Sequence, residues 1–366
     1  MKIVVTICRW LVGLLFIFSG LIKANDPHGL SYKMREFFEA WHTEFLNNIS
    51  LSSSIAMNIV EVVAGIAIII GWRSKFFSWL LLLLITFFTF LTSYVLFSGK
   101  IAACGCFGDC VPLTPQQTFT KDVILLTLIL IIFFSHKKIH PILSSKISIS
   151  ILTISFLFVG GMQWYALNHL PFKDCLPFKK GNNIEEQMKP PVGAVSDSFA
   201  IFYTYKKNGK TIKINAEQFP DDFDSTYIQV GEEEKTLIRK GNSTPKISDF
   251  TLKTLDSSIN ITDQVLNQSG KYVMIFVKEF PSDVSQLSSF INLNIIKKYQ
   301  DQHMPVYIVT SDVEAAVNVV FKGVTFLKLD GTVLKTAARV NPTYFLMQGA
   351  TVLNKVAAMD AGNLGN

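Results

Sequence analysis

Five stretches of this chain are apolar for long enough to set its architecture. Residues 3–22, 55–71 and 76–97 are nearly unbroken runs of aliphatic, aromatic and small residues, a fourth lies at about 119–135, and a fifth covers 147–167. The fourth is the weakest, since its purely apolar part is only 123–134. A hydrocarbon core about 30 Å thick is crossed by roughly 20 apolar residues in helix, so each run is expected to span a membrane. No A-x-A-like cleavage site follows the first run, so it is read as a retained span rather than a leader.

The loop between the first two spans carries aromatics at helical spacing over 32–41. The spacing predicts an interfacial amphipathic helix with Phe37, Phe38 and Trp41 at headgroup depth. Beyond about residue 170 charged residues become frequent. Two strand-like runs, Ile201-Phe202-Tyr203-Thr204-Tyr205 and Thr211-Ile212-Lys213-Ile214, flank Asn208-Gly209, a strong hairpin signal. From Gly241 strands are expected at 272–277, 306–310, 324–329, 344–347 and 352–356, with an amphipathic helix at 286–299. Such alternation predicts a small α/β fold. The expected layout is a bundle over 1–140, a fifth transmembrane helix at 147–167, a linker and β-rich segment over 168–240, and an α/β domain over 241–366.

Charge orients this layout. The chain has 366 residues, 49% of them hydrophobic, and a net charge of +6. The basic residues flank apolar runs or are scattered, which speaks for topology signals in a lipid membrane and against nucleic acid as a partner. Arg73 and Lys75, then Lys137, Lys138 and Lys146, fill the short connections, and the positive-inside rule puts these in the cytoplasm. Lys2 and Arg9 place the N-terminus there too, and five spans leave the C-terminal domain outside. Lys173, Lys179 and Lys180 run against that bias. A bacterial inner membrane is the expected location.

Cysteines and intramembrane charges carry the candidate chemistry. Cys8 lies within the first span, where it serves as a small hydrophobe. Cys104, Cys106, Cys110 and Cys175 fall on the outer side, where thiols are oxidised. A Cys104–Cys106 bond would close a very tight ring, whereas Cys110 can pair with either at more relaxed geometry. Three readings stay open: redox-active thiols, two static disulfides, or a metal site. The CxC-x3-C spacing is not a common zinc pattern, so no metal ligand is assigned. Arg9, Lys23 and Glu61 are ionisable groups in or at the ends of spans, and such groups are functional candidates by default. Proton or quinone chemistry is one reading; a snorkelling Arg9 and a structurally paired Glu61 is the other. His136 and His140 bracket Lys137-Lys138 before Pro141 and read as a solvated turn. No dinucleotide, P-loop, zinc-protease or nucleophile-elbow motif is present.

The first span, Cys8 to Lys23 with Gly13, Ser19 and Gly20, followed by Asp26-Pro27, resembles the first helix of the DoxX-like membrane proteins. Glu61, Gly65 and Gly71-Trp72-Arg73 resemble their second helix. The string Cys104-Gly105-Cys106-Phe107-Gly108 resembles the MauE branch, which implies a link to methylamine utilisation and to disulfide maturation of a partner enzyme. This resemblance covers roughly 1–140. Further on, Pro245-Lys246-Ile247-Ser248-Asp249-Phe250-Thr251-Leu252 resembles the opening strand of the thioredoxin-like fold in its peroxiredoxin/TlpA form. The stretch from Val340 to Val352 resembles its cis-proline strand and hairpin, with Pro342 as the cis position. One departure matters. Where that family has Cys-x-x-Cys, this chain reads Lys278-Glu279-Phe280-Pro281-Ser282-Asp283-Val284-Ser285, and no cysteine follows Cys175.

The expectation is therefore an α-helical membrane bundle, a four-helix DoxX-like core plus a fifth transmembrane helix. A small β segment and an α/β thioredoxin-like domain without active-site cysteines follow it. The resemblance implies a membrane oxidoreductase component working with an extracytoplasmic thiol-containing protein, with a membrane quinone as candidate cofactor and the pseudo-thioredoxin domain as docking module. The other class is a non-catalytic assembly protein with structural disulfides.

Overall fold

The computed structural model describes residues 2–365 apart from 102, 103, 240, 242, 282, 284, 285, 318 and 320. Its membrane part comprises α1 (Lys2–Asn25), α2 (Pro27–Ala40), α3 (Ser50–Ile70), α4 (Ser74–Ser98), α5 (Pro115–Phe134) and α6 (Ser145–Asn168). All except α2 are long and apolar enough to cross a membrane, which makes this a multi-pass membrane protein. Helices α1 and α3 touch most closely. A Cβ added at Gly65 would lie 2.7 Å from the Gly13 carbonyl oxygen, so only glycine permits that approach.

Two elements differ from expectation. Helix α5 starts earlier than the expected 119, because Thr114 and Gln117 form a capping box and Pro115 takes the first helical position. Lys121 and Asp122, already inside the expected span, follow this first turn. Helix α2, capped by Asp26 and opened by Pro27, packs Phe37 and Trp41 onto the bundle. Phe37 is buried with Val95, Ile101 and Cys104, and Trp41 packs on Phe37, Phe90 and Tyr94.

Beyond the bundle, residues 168–240 divide in two. Phe178 and Ile184, the latter opening the short helix α7 (Ile184–Gln187), join the core of the α/β domain. A four-stranded antiparallel sheet follows: β1 (Ser198–Lys207), β2 (Lys210–Asn215), β3 (Ile228–Gln229) and β4 (Glu234–Arg239). Its β1–β2 hairpin turns on Asn208 and Gly209 at φ 50° and 77°, the backbone a two-residue hairpin needs. Lys240, at the end of this stretch, lies outside the described residues.

The α/β domain contains β5 (Lys253–Thr254), α8 (Thr262–Leu266), β6 (Lys271–Val277), α9 (Leu287–Phe290), α10 (Leu293–Gln300), β7 (Val306–Thr310), α11 (Val313–Val317), β8 (Thr325–Lys328), α12 (Gly331–Ala337), β9 (Thr343–Gln348) and β10 (Thr351–Ala357). Sheet order is β10-β9-β6-β7-β8-β5. Strands β6, β7 and β8 run parallel and the others antiparallel, a thioredoxin-like arrangement. Strand β6 is apolar at every position from Tyr272 because both faces are covered. Tyr272, Met274 and Phe276 enter one core and Val273, Ile275 and Val277 the other. The stretch 245–252 is not a strand; Ile247, Phe250 and Leu252 instead plug the first core from a loop. The expected helix at 286–299 breaks into α9 and α10 at Ile291-Asn292, where Asn292 N–H donates to the Tyr344 hydroxyl at 3.0 Å. The Asn341–Pro342 peptide is cis.

Candidate functional site

The loop 104–110 sits where α1, α2, α4 and α5 converge, on the face that also bears the α/β domain. Gly105 and Gly108 adopt left-handed φ of 72° and 57°, and Gly108 N–H donates to the Gly105 carbonyl. These turns fold the loop back so that Cys104 and Cys106 face each other, their sulfurs 3.4 Å apart and unbonded. Ser19 of α1 donates to the Cys106 carbonyl at 3.1 Å, and Phe107 packs edge-on against Phe18. Cys104 is buried against Phe37 and Val95, while Cys106 is half-buried.

The two thiols are not equivalent. The Cys104 S–H beside it holds the Cys106 thiol below its ordinary range; burial opposes this and the Lys121 ammonium assists. Donating that hydrogen bond, together with burial, pushes the Cys104 thiol well up. The donor direction follows from charge, since a nearby ammonium favours the anion at Cys106. Lys121 itself is fixed by Asp122 at 2.6 Å and lies 4.8 Å above the Phe107 ring. Thr92 of α4 donates to the other Asp122 oxygen at 3.1 Å.

A second buried ion pair, Lys23 with Glu61, joins α1 to α3 near the same end of the bundle. Glu61 Oε2 has no hydrogen-bond partner. A cavity of about 20 Å³ lies among Ser19, Glu61, Phe88, Phe107, Lys121 and Asp122. That is room for one water; a quinone ring does not fit these residues as they stand. Arg9 belongs elsewhere. It is buried at the opposite end of α1, donating to the Ile68 and Ile69 carbonyls that close α3, away from the thiols. Cys8 is buried and free.

Cys110 and Cys175 form a disulfide that joins the loop to the segment after α6. It leaves only Cys104 and Cys106 as free thiols here, and among the described residues no cluster of three or more His, Cys, Asp or Glu is arranged for a metal. Around the disulfide the α/β domain is clasped to the bundle. Arg339 binds Asp26 and Asp109, each at 2.7 Å, and Lys355 binds Asp174 at 2.7 Å. Residues 1–135 match the family model of the methylamine utilisation protein MauE. The MauE match takes in all four helices α1, α3, α4 and α5, the cysteine loop, and both buried ion pairs. Over 133 residues the chain is also 29% identical to Protein TlpB of Flavobacterium psychrophilum, a match spanning 36% of each chain. No solved structure matches.

Joined to this bundle, the α/β domain turns the end of β6 towards it. Lys278, directly after β6, donates to Asn341 through its backbone N–H, and its ammonium donates to the Tyr32 hydroxyl of α2 and the Arg339 carbonyl. Burial and the Arg339 charge push Lys278 down to about 8, and burial pushes Tyr32 up to about 12. His28, neighbouring Tyr32, is driven to about 3 by burial and the charges of Lys278, Arg339 and Arg35, which keeps it neutral. Of the residues replacing Cys-x-x-Cys, Ser282, Val284 and Ser285 lie outside the described ones.

Sequence reasoning named all four loop-side cysteines, Lys23 and Glu61. It named Ser19 only as a small residue of the first span, and gave no role at the site to Thr92, Lys121 and Asp122. The last two carried a usable signal, since both charges lie inside the expected span 119–135.

Proposed function

We propose that this protein performs thiol–disulfide exchange on the extracytoplasmic face of a bacterial inner membrane, using Cys104 and Cys106 with the Cys110–Cys175 disulfide. The observation that carries this is the unbonded Cys104–Cys106 pair, one thiol biased towards thiolate, in the same seven-residue loop as one end of a disulfide. The Cys106 thiolate attacks one sulfur of that disulfide, forming a new S–S bond and expelling the other sulfur as thiolate. The Cys104 sulfur, losing its proton to the expelled thiolate, then attacks Cys106 and expels the second. Two electrons pass from Cys104/Cys106 to Cys110/Cys175 with no outside oxidant, and a thiol-bearing partner protein draws on either pair. No step passes through a quinone. The basic connections around Arg73 and Lys137 lie at the end of the bundle away from the loop, which supports an inward N-terminus and an outward α/β domain.

The test is exchange with a reduced dithiol by the full-length protein in lipid nanodiscs, followed by alkylation and mass spectrometry. A Cys104–Cys106 disulfide that appears as Cys110 and Cys175 become free thiols, and that is lost in Cys106→Ser while persisting in Cys8→Ser at equal membrane levels, supports the reading. A wild-type protein whose Cys110–Cys175 bond is reduced by the dithiol with no Cys104–Cys106 disulfide ever forming overturns it. The position of the Cys110–Cys175 bond, tying two halves of the chain together, favours a second reading, a non-catalytic assembly protein; misfolding of the cysteine variants without any trapped mixed disulfide selects it.

A further inference from the structure

Between α2, the cysteine loop, the segment after α6 and the α/β domain runs an open cleft of about 680 Å³. Its walls are strongly cationic once internal pairs are removed. Lys33 is matched by Glu36, Arg339 by Asp109, and the Asp174 carboxylate by Lys355. What remains among the described lining residues is Arg35, Lys173, Lys179, Lys246 and Lys335 without an acidic partner, against one carboxylate, Glu39. The four lysines are exposed. Both Cys110 and Cys175 line the same cleft, each half-buried.

We infer that this cleft binds an acidic, cysteine-bearing polypeptide segment and presents the Cys110–Cys175 disulfide to it. The unpaired cations come from both halves of the chain, Lys246 and Lys335 from the α/β domain and Arg35, Lys173 and Lys179 from α2 and the junction, so the site exists only in the assembled molecule. Anionic lipid headgroups offer the same charge. The disulfide in the wall favours polypeptide, because its only chemistry is with thiols. The cations also lower the pKa of an incoming thiol and so raise its thiolate fraction. In the exchange itself the segment's thiolate bonds to one sulfur of Cys110–Cys175, the S–S bond breaks, and the other sulfur leaves as thiolate. The covalent step rests on the exchange reading above; the binding step does not.

The experiment separates the two. Full-length protein in phosphatidylcholine nanodiscs is titrated with a fluorescent, cysteine-free peptide of about ten residues rich in Asp and Glu, read by anisotropy. Saturable binding is expected, weakened about tenfold or more by Lys246→Glu/Lys335→Glu and by a rise from low to 200 mM salt, as Coulomb attraction at an exposed site requires. A neutral peptide binding equally well, or unchanged binding by a charge-reversed variant that melts like the wild type, overturns the proposal. So does a variant that loses affinity for phosphatidylglycerol vesicles while keeping it for the peptide, which assigns the cations to lipid. If the cysteine-free peptide binds but a cysteine-bearing one forms no mixed disulfide at Cys110 or Cys175, the cleft stands and the exchange reading falls.

Discussion

At the residue scale, behaviour is decided by which neighbour each buried polar atom has. Cys106 owes its lowered pKa first to the Cys104 S–H. Cys104→Ala is therefore expected to slow alkylation of Cys106 at neutral pH about tenfold, the lower range for a hydrogen bond to a charged group. A pH–rate profile checks the sign, with the midpoint moving up. The Lys23–Glu61 pair is almost wholly buried, so Glu61→Gln leaves an uncompensated ammonium and is expected to cost about 3–5 kcal/mol. Lys23→Met/Glu61→Leu should regain most of that stability, measured by thermal unfolding in detergent. If the double variant also keeps exchange activity, the pair is structural; if it is stable but inactive, the pair serves proton movement. All these cysteines, Lys23 and Glu61 were legible in the chain. Arg339 was not, because its carboxylate partners are 313 and 230 positions away and no local pattern announces them.

At the element scale, glycine sets the spacing of α1 and α3. Gly65→Ala pushes a methyl to 2.7 Å from a backbone oxygen and is expected to destabilise by about 1–3 kcal/mol, as overpacking does. Gly160→Ala in α6, where nothing lies within 4 Å, should be neutral or stabilising by up to about 1 kcal/mol. Comparing the two melting temperatures isolates packing from helix propensity. The five spans could be read from apolar runs because a membrane's hydrocarbon demands them, and the central strands of the α/β domain because both their faces are covered. The start of α5 was obscured by its charges, and 245–252 mimics a strand because three of its residues are apolar for core plugging. The α9–α10 break depends on Tyr344, far along the chain, and so leaves no local trace.

At the scale of the whole molecule, the α/β domain has the end of its strand β6 pressed onto the membrane half. Lys278 sits in that contact. Its value near 8 lies below the ordinary lysine value of about 10.4. Between these values the separated or unfolded state binds more protons, so stability of the docked form should rise as pH climbs from about 8 towards 10. Below pH 8 the penalty is fully present. Scanning fluorimetry across that window should show a rising melting temperature, and Lys278→Met should flatten the slope. The Cys110–Cys175 bond, finally, spans 65 positions of sequence that include all of α5 and α6. Covalently, the chain is thus a ring with two tails. A single cut in the connection 135–144 would leave one molecule of undiminished mass, with the amino-terminal spans and the α/β domain still tethered across the break. Only reduction would then release them as separate pieces, so the chain's continuity at this face is itself under redox control.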